Sequence, residues 1–225
     1  MKYSDFEHVL SPSRMSRYFS ACGCNTAKAM TLYRRNLLLS QELFTIISCF
    51  EIALRNAVDR HYSSRYGPDW LRQSVYHGGM LHNQACRVAA ETVKDALRKL
   101  GPRYTHHKLV AELGFGFWRY MFAPHQFAAG GRSLLAIFPA KPQSSSIMQY
   151  NASYVFNQLS DINNIRNRIA HHEPVCFRLS LKDTSYARHH YNQITQLLNW
   201  MNIDEKSLLY GLDHISIILN KIDSL

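Results

Sequence analysis

Apolar residues recur at intervals of three and four along most of the chain, with little strand-like alternation, so the sequence reads as a series of helices. The clearest stripe is Leu39, Leu43, Ile46, Ile47, Phe50, Ala53, Leu54, Ala57 and Val58, while Gln41, Glu42, Arg55, Asp59 and Arg60 fall largely off it. It predicts a helix from about Leu38 to Ser64, stopped before Gly67-Pro68, a pair that ends helical continuation. A second pattern predicts a helix over about Asn83 to Leu100, with Val88, Ala89, Val93, Ala96, Leu97 and Leu100 inward and closure at Gly101-Pro102.

The stretch Leu113-Gly114-Phe115-Gly116-Phe117-Trp118-Arg119-Tyr120-Met121-Phe122 is densely aromatic. Core packing is the expected reading, and stacking of unpaired bases beside Arg119 is the alternative. Pro139 to Ser146 predicts a loop, with Ser144 to Ser146 as candidate caps for the next helix. That helix should carry Ile147, Tyr150, Tyr154, Val155, Leu159, Ile162, Ile165 and Ile169 inward, with Pro174 as its limit. Two more are predicted, Thr184 to Met201 and Asp204 to Leu219, the latter with Leu208, Leu209, Leu212, Ile215, Ile218 and Leu219 as its stripe. The expected fold class is all-α, a helical bundle of one compact domain over residues 1–225 with an N-terminal helical extension.

Composition narrows the partners. Lys and Arg number 26 against 16 Asp and Glu, a formal charge of +10, which favours polyanions such as RNA or DNA and leaves an anionic membrane as the lesser option. No membrane span is expected, because the best apolar stretch, Leu43 to Val58, is interrupted by Glu51 and Arg55. The start, Met1-Lys2-Tyr3-Ser4-Asp5-Phe6-Glu7, lacks the basic end and apolar run of a secretory signal, so a cytoplasmic location is expected. The five cysteines, Cys22, Cys24, Cys49, Cys86 and Cys176, are scattered and odd in number, which argues against a disulfide framework. No metal and no cofactor are expected, since Cys22 and Cys24 find no second ligand pair of recognisable spacing.

Candidate chemistry concentrates in Ile165-Arg166-Asn167-Arg168-Ile169-Ala170-His171-His172-Glu173-Pro174. On a helix Asn167 and His171 lie one turn apart on the same side, and Arg166 is displaced from Asn167 by about 100°, which a long arginine can span. The set suits phosphodiester chemistry: imidazole can move protons near neutral pH, guanidinium can stabilise charge on phosphate oxygens, and an amide can orient groups. The same residues also admit a structural role, with Arg166 and Asn167 bridging neighbouring helices and His171 capping a helix end. His172, adjacent in sequence, points elsewhere on a helix and is expected to cap or face solvent.

Over most of its length, about residues 12 to 176, the chain resembles the Abi-like family of bacterial abortive infection proteins and, within it, the HEPN superfamily. The resemblance rests on Leu32-Tyr33-Arg34-Arg35-Asn36, Phe50-Glu51-Ile52-Ala53-Leu54-Arg55-Asn56-Ala57 and Tyr66-Gly67-Pro68-Asp69-Trp70-Leu71. It continues with Leu113-Gly114-Phe115-Gly116-Phe117-Trp118, Ile165-Arg166-Asn167 and Ala170-His171-His172. It implies an HEPN-like helical bundle, a homodimer, and a metal-independent endoribonuclease acting as an anti-phage effector or toxin. It further implies that His171 assists proton transfer, Arg166 stabilises the scissile phosphate and Asn167 orients the site. RNA is then the substrate, attacked by its own 2′-OH, and a toxin would call for a neutralising RNA or protein partner.

Glu51, Arg55 and Asn56 form a second polar island on an otherwise apolar helix. The resemblance makes them supporting or substrate-binding candidates for the same cleft, and a Glu51 to Arg55 bridge at i,i+4 spacing is the structural alternative. Two rival functions fit the same residues, a non-catalytic RNA-binding module and a protein interaction module.

Overall fold

The computed structural model describes residues 1–179 and 181–225, and those residues are overwhelmingly helical. In chain order the helices are α1 (Tyr3–Leu10), α2 (Pro12–Ala21), α3 (Thr26–Tyr66), α4 (Trp70–Gln73), α5 (Arg87–Leu100), α6 (His106–Glu112), α7 (Phe115–Tyr120) and α8 (Pro124–Ala129). They continue with α9 (Ala152–Ala170), α10 (Ser185–Trp200), α11 (Glu205–Leu208) and α12 (Ile215–Asp223). Between α9 and α10 lies a two-stranded antiparallel ribbon, β1 (Phe177–Arg178) and β2 (Leu181–Lys182), with Phe177 opposite Lys182. The all-α class is as the periodicity implies, and the ribbon is too short to leave a periodic signal.

The chain divides into two compact units, and the division passes within α3, α9 and α10. The first comprises residues 1–48, 164–196 and 205–225. Its α2 starts with Ser11 accepting the Arg14 amide (3.3 Å) and Pro12 at the first helical position, where a missing N–H does no harm. α2 buries Met15 and Tyr18, and the Tyr18 ring meets Tyr33 and Phe177 edge-on at 5.1 and 5.0 Å. The last helix is tied down by Lys182, whose Nζ donates to the Ile222 and Asp223 carbonyls (3.0 and 3.2 Å), a cation suiting a helix C-terminus. Thr184 adds a bond to Asp223 Oδ1 at 2.7 Å.

The second unit comprises residues 49–163 and 197–204. α5 buries Ala89, Ala90, Val93, Ala96 and Leu100 on one face. The aromatic stretch is mostly core, with Phe115, Phe117, Trp118, Met121 and Phe122 buried and the Trp118 indole donating to the Leu113 carbonyl at 2.9 Å. Tyr120 alone of its aromatics is exposed. Trp200 gathers Phe138, Tyr150 and Tyr154 around it at centroid distances of 6.5, 5.4 and 5.9 Å.

Several expectations need correction. α3 begins at Thr26, twelve residues before the predicted start, because Asn25 caps it by accepting the Lys28 amide (3.0 Å) and the buried stripe extends back through Leu32 and Ala29. Val88 faces solvent, so the inward face of α5 is set by the alanines. Ile147 is 93% exposed and lies before α9, whose true cap is Asn151, accepting the Tyr154 amide at 3.0 Å. Ser144 and Ser145 spend their hydroxyls inside the preceding loop, on the amides of Tyr150, Ile147 and Met148. The expected Asp204 to Leu219 helix is broken into α11 and α12, with Gly211 at φ +73° between them and Leu208 and Leu212 exposed. Finally, α3 is long and apolar enough to cross a membrane by length and composition, with an 18-residue window of mean hydropathy 1.6. Core helices of water-soluble proteins pass the same test.

Candidate functional site

The C-terminal end of α9, in the first unit, carries Arg166, Asn167 and His171 over little more than one turn. The His171 amide donates to the Asn167 carbonyl at 2.9 Å, which fixes the two residues one turn apart. Arg166 Nη1 makes a long contact of 3.5 Å with Asn167 Oδ1, so the guanidinium and the amide touch. Both side chains are half-buried, and His171 is exposed. Ile169, expected inward, is half-buried, whereas Ile165 is fully buried and anchors this turn.

Immediately after His171 the helix closes in a Schellman-type cap. His172 adopts φ +56°, its amide donates to the Ile169 carbonyl (2.9 Å), and the Glu173 amide donates to the Arg168 carbonyl (2.9 Å). This is the pattern that ends helices when one residue turns left-handed, a position that glycine usually fills. Here the turn is held from outside: Arg14 Nη1 donates to the His172 carbonyl at 2.7 Å, and Arg168 Nε donates to the Pro174 carbonyl at 2.9 Å. Arg168 also lies 3.7 Å from Glu173 and sits over the Tyr186 ring at 5.1 Å.

One step further along, the buried Asn36 of α3 accepts the amides of Val175 and Cys176 at 2.9 and 3.3 Å. Two backbone donors that leave a helix end are thereby satisfied inside the unit. Burial pushes the neighbouring Cys176 thiol up to about 12, which favours the neutral thiol near pH 7. Arg14, Asn36 and Arg168 are additions to the site residues that sequence reasoning selects. Asn36 had a readable signal, since it interrupts the stripe Leu32, Leu39, Leu43 at helical spacing. Arg14 had none, because its partner is a backbone carbonyl far along the chain.

Glu51, Arg55 and Asn56 lie together on α3 in the second unit. Glu51 and Arg55 are half-buried and Asn56 is exposed. Arg55 Nε is buried with no hydrogen-bond partner among the described residues.

The second unit also holds a polar cluster that periodicity does not reveal. Asp59 Oδ1 accepts from the Trp70 indole at 2.8 Å and lies 2.7 Å from His106 Nε2. His106 Nδ1 stands 3.9 Å from Asp69, which accepts the Tyr104 hydroxyl. Desolvation, then that bond to Asp69, raise the Tyr104 pKa. The cluster ties α3, α4 and α6 together through Asp59, Trp70 and His106, and gives Asp69 and Trp70 of the Tyr66 to Leu71 motif a structural role.

Compared with known proteins, the chain matches a family model described as Abi-like protein over residues 2–176. No curated protein and no solved structure matches it.

Proposed function

From the premise that this chain belongs to the Abi-like protein family, we propose that it is an HEPN-type, metal-independent endoribonuclease that acts in abortive infection, cutting RNA to arrest the growth of an infected cell. The observation that carries this reading is the Arg166, Asn167 and His171 set at the C-terminal end of α9, where the guanidinium and the amide touch and an exposed histidine follows one turn after Asn167.

The chemistry comes from those groups. The ribose 2′-OH attacks the adjacent phosphorus and the bond to the 5′ oxygen breaks, leaving a 2′,3′-cyclic phosphate and a 5′-hydroxyl. His171 moves protons at these oxygens, Arg166 bears the charge that grows on the phosphate oxygens, and Asn167 holds the guanidinium in place. A second copy of the chain would set two such clusters side by side, and a homodimer is part of the proposal. Glu51, Arg55 and Asn56 are supporting residues in this reading.

The test is to incubate the purified protein with total RNA in EDTA and map new ends. Cyclic phosphate and 5′-hydroxyl ends are expected. RNA that stays intact, or cutting that EDTA abolishes, would overturn the reading.

A further inference from the structure

The surface around the two-stranded ribbon of the first unit carries two shallow cavities that meet at one residue. A cavity of about 400 Å³ is lined by Arg168, Phe177, Arg178, Leu179, Tyr186 and His189, among others. A second, of about 420 Å³, is lined by Ser16, Arg17, Ser20 and Leu179. Leu179, 86% exposed at φ +52°, is common to both. Arg17, Arg168, Arg178 and His189 therefore border one strip. Its rings are already engaged with cations, Arg17 over Phe177 at 4.6 Å and Arg168 over Tyr186 at 5.1 Å.

Two carboxylates close in sequence to the strip have partners. Glu173 faces Arg168 at 3.7 Å, and Asp183 accepts the Ser185 amide at 2.6 Å. Bonds from Ser185 hold the Asp183 pKa below the ordinary carboxylate value. Arg168 connects the strip to the candidate site, because it comes directly after Asn167 on α9 and its Nε bonds to Pro174 just past His172.

We infer that this strip is the track for the single-stranded RNA that flanks the cleaved bond, with phosphates on Arg17 and Arg178 and unpaired bases against the guanidinium planes and Leu179. The choice of RNA rests on the proposed function. The choice of a single strand rests on guanidinium groups stacked over the rings of Tyr186 and Phe177 next to the exposed Leu179, since guanidinium planes and an apolar side chain suit exposed base faces. A duplex hides those faces and would use the charges alone.

The experiment uses the full chain carrying His171→Ala, in EDTA, and a fluorescein-labelled mixed-sequence oligoribonucleotide titrated at several salt concentrations. Arg178→Gln, at the exposed position of β1, should weaken binding and lower the magnitude of the log affinity against log salt slope by about 0.7, the value for one phosphate contact on a single strand. Arg17→Gln should do the same if it folds, and Arg98→Gln, an exposed charge in the second unit, should leave the slope unchanged. Three outcomes would overturn the inference: no binding, equal slopes for Arg178→Gln and Arg98→Gln, or duplex DNA binding with the same dependence on Arg178. Binding that depends on Arg178 in a protein whose parent never cuts RNA would keep the track and remove the nuclease. Cleavage by the parent with an Arg178-independent slope would do the reverse.

Discussion

Arg14 of α2 donates to the carbonyl of His172 at 2.7 Å, a bond between residues 158 positions apart in the chain. It closes over the residue directly after His171, so α2 fixes the backbone that presents the imidazole. Arg14→Ala removes a bond from a charged donor that is exposed to solvent, so it should cost about 1 kcal/mol, less than the roughly 1.5–3 kcal/mol of hydrogen bonds to charged groups. The melting temperature should fall by about 2–4 °C. Under the proposed function, kcat for RNA cleavage should fall more than RNA affinity, since the lost group orients the helix end and does not hold the strand. Differential scanning fluorimetry and single-turnover cleavage check the two parts. A parental melting temperature and rate would remove Arg14 from this positioning role.

His172 occupies the left-handed position of the α9 cap at φ +56°. Histidine tolerates that region better than most side chains, and glycine best of all. His172→Gly should therefore keep or slightly raise the melting temperature. His172→Val should lower it, because a β-branched side chain is tolerated in that region less well than histidine. If both variants melt alike, the backbone angle is not what constrains this position. Cleavage should survive His172→Gly, which separates this histidine from His171.

These two residues also mark what is legible in the sequence. The amphipathic stripes mark the long helices, and Gly67-Pro68 and Gly101 mark their ends, because burial and backbone freedom are local properties. The Arg166, Asn167, His171 set is readable for the same reason, lying within little more than one turn of one helix. The Arg14 bond, the Asn36 contacts and the Asp59, Trp70, His106 cluster join segments distant in sequence, and no periodicity encodes such pairings. Short breaks escape the stripes where one residue decides: Gly211 splits an apolar stripe that looks continuous, and Asn151 moves the start of α9 past Ile147.

His61 gives the second unit a dependence on pH. Its Nε2 lies 2.9 Å from Ser133 Oγ, and that hydroxyl donates to the Gly130 carbonyl at 3.1 Å, so the ring carries a proton on Nε2 and donates it. Burial, and after it the Arg65 cation, lowers its pKa from the ordinary 6.5. The unfolded chain then binds more protons than the folded one between the lowered value and 6.5. The stability this histidine contributes is complete above 6.5 and is lost as pH falls through that window. Melting temperatures from pH 8 to pH 5 should drop more steeply in the parent than in His61→Gln. Parallel curves would show that His61 does not carry the effect.

Substitutions at the end of α9 distinguish catalysis from binding and from structure. If His171 is a general acid or base, His171→Ala should reduce the cleavage rate by roughly two to four orders of magnitude. RNA affinity should stay nearly constant, because cations elsewhere supply most of it. The exposure of His171 also predicts a small effect on the melting temperature, since no buried contact of the ring is lost. Arg166→Ala should weaken both binding and cleavage, as a guanidinium contacts phosphate in the ground state and more strongly in the transition state. Arg166→Lys should rescue poorly: lysine keeps the charge but loses the planar fork and cannot share it between a phosphate and Asn167. Asn167→Ala should act in the same direction as Arg166→Lys and more weakly than Arg166→Ala, because it frees the guanidinium without removing it. A purely structural site would behave otherwise, with every loss of rate tracking the unfolded fraction at the assay temperature. A folded His171→Ala protein that cuts RNA at the parental rate would take His171 out of the chemistry, and with it the observation on which the proposed nuclease rests.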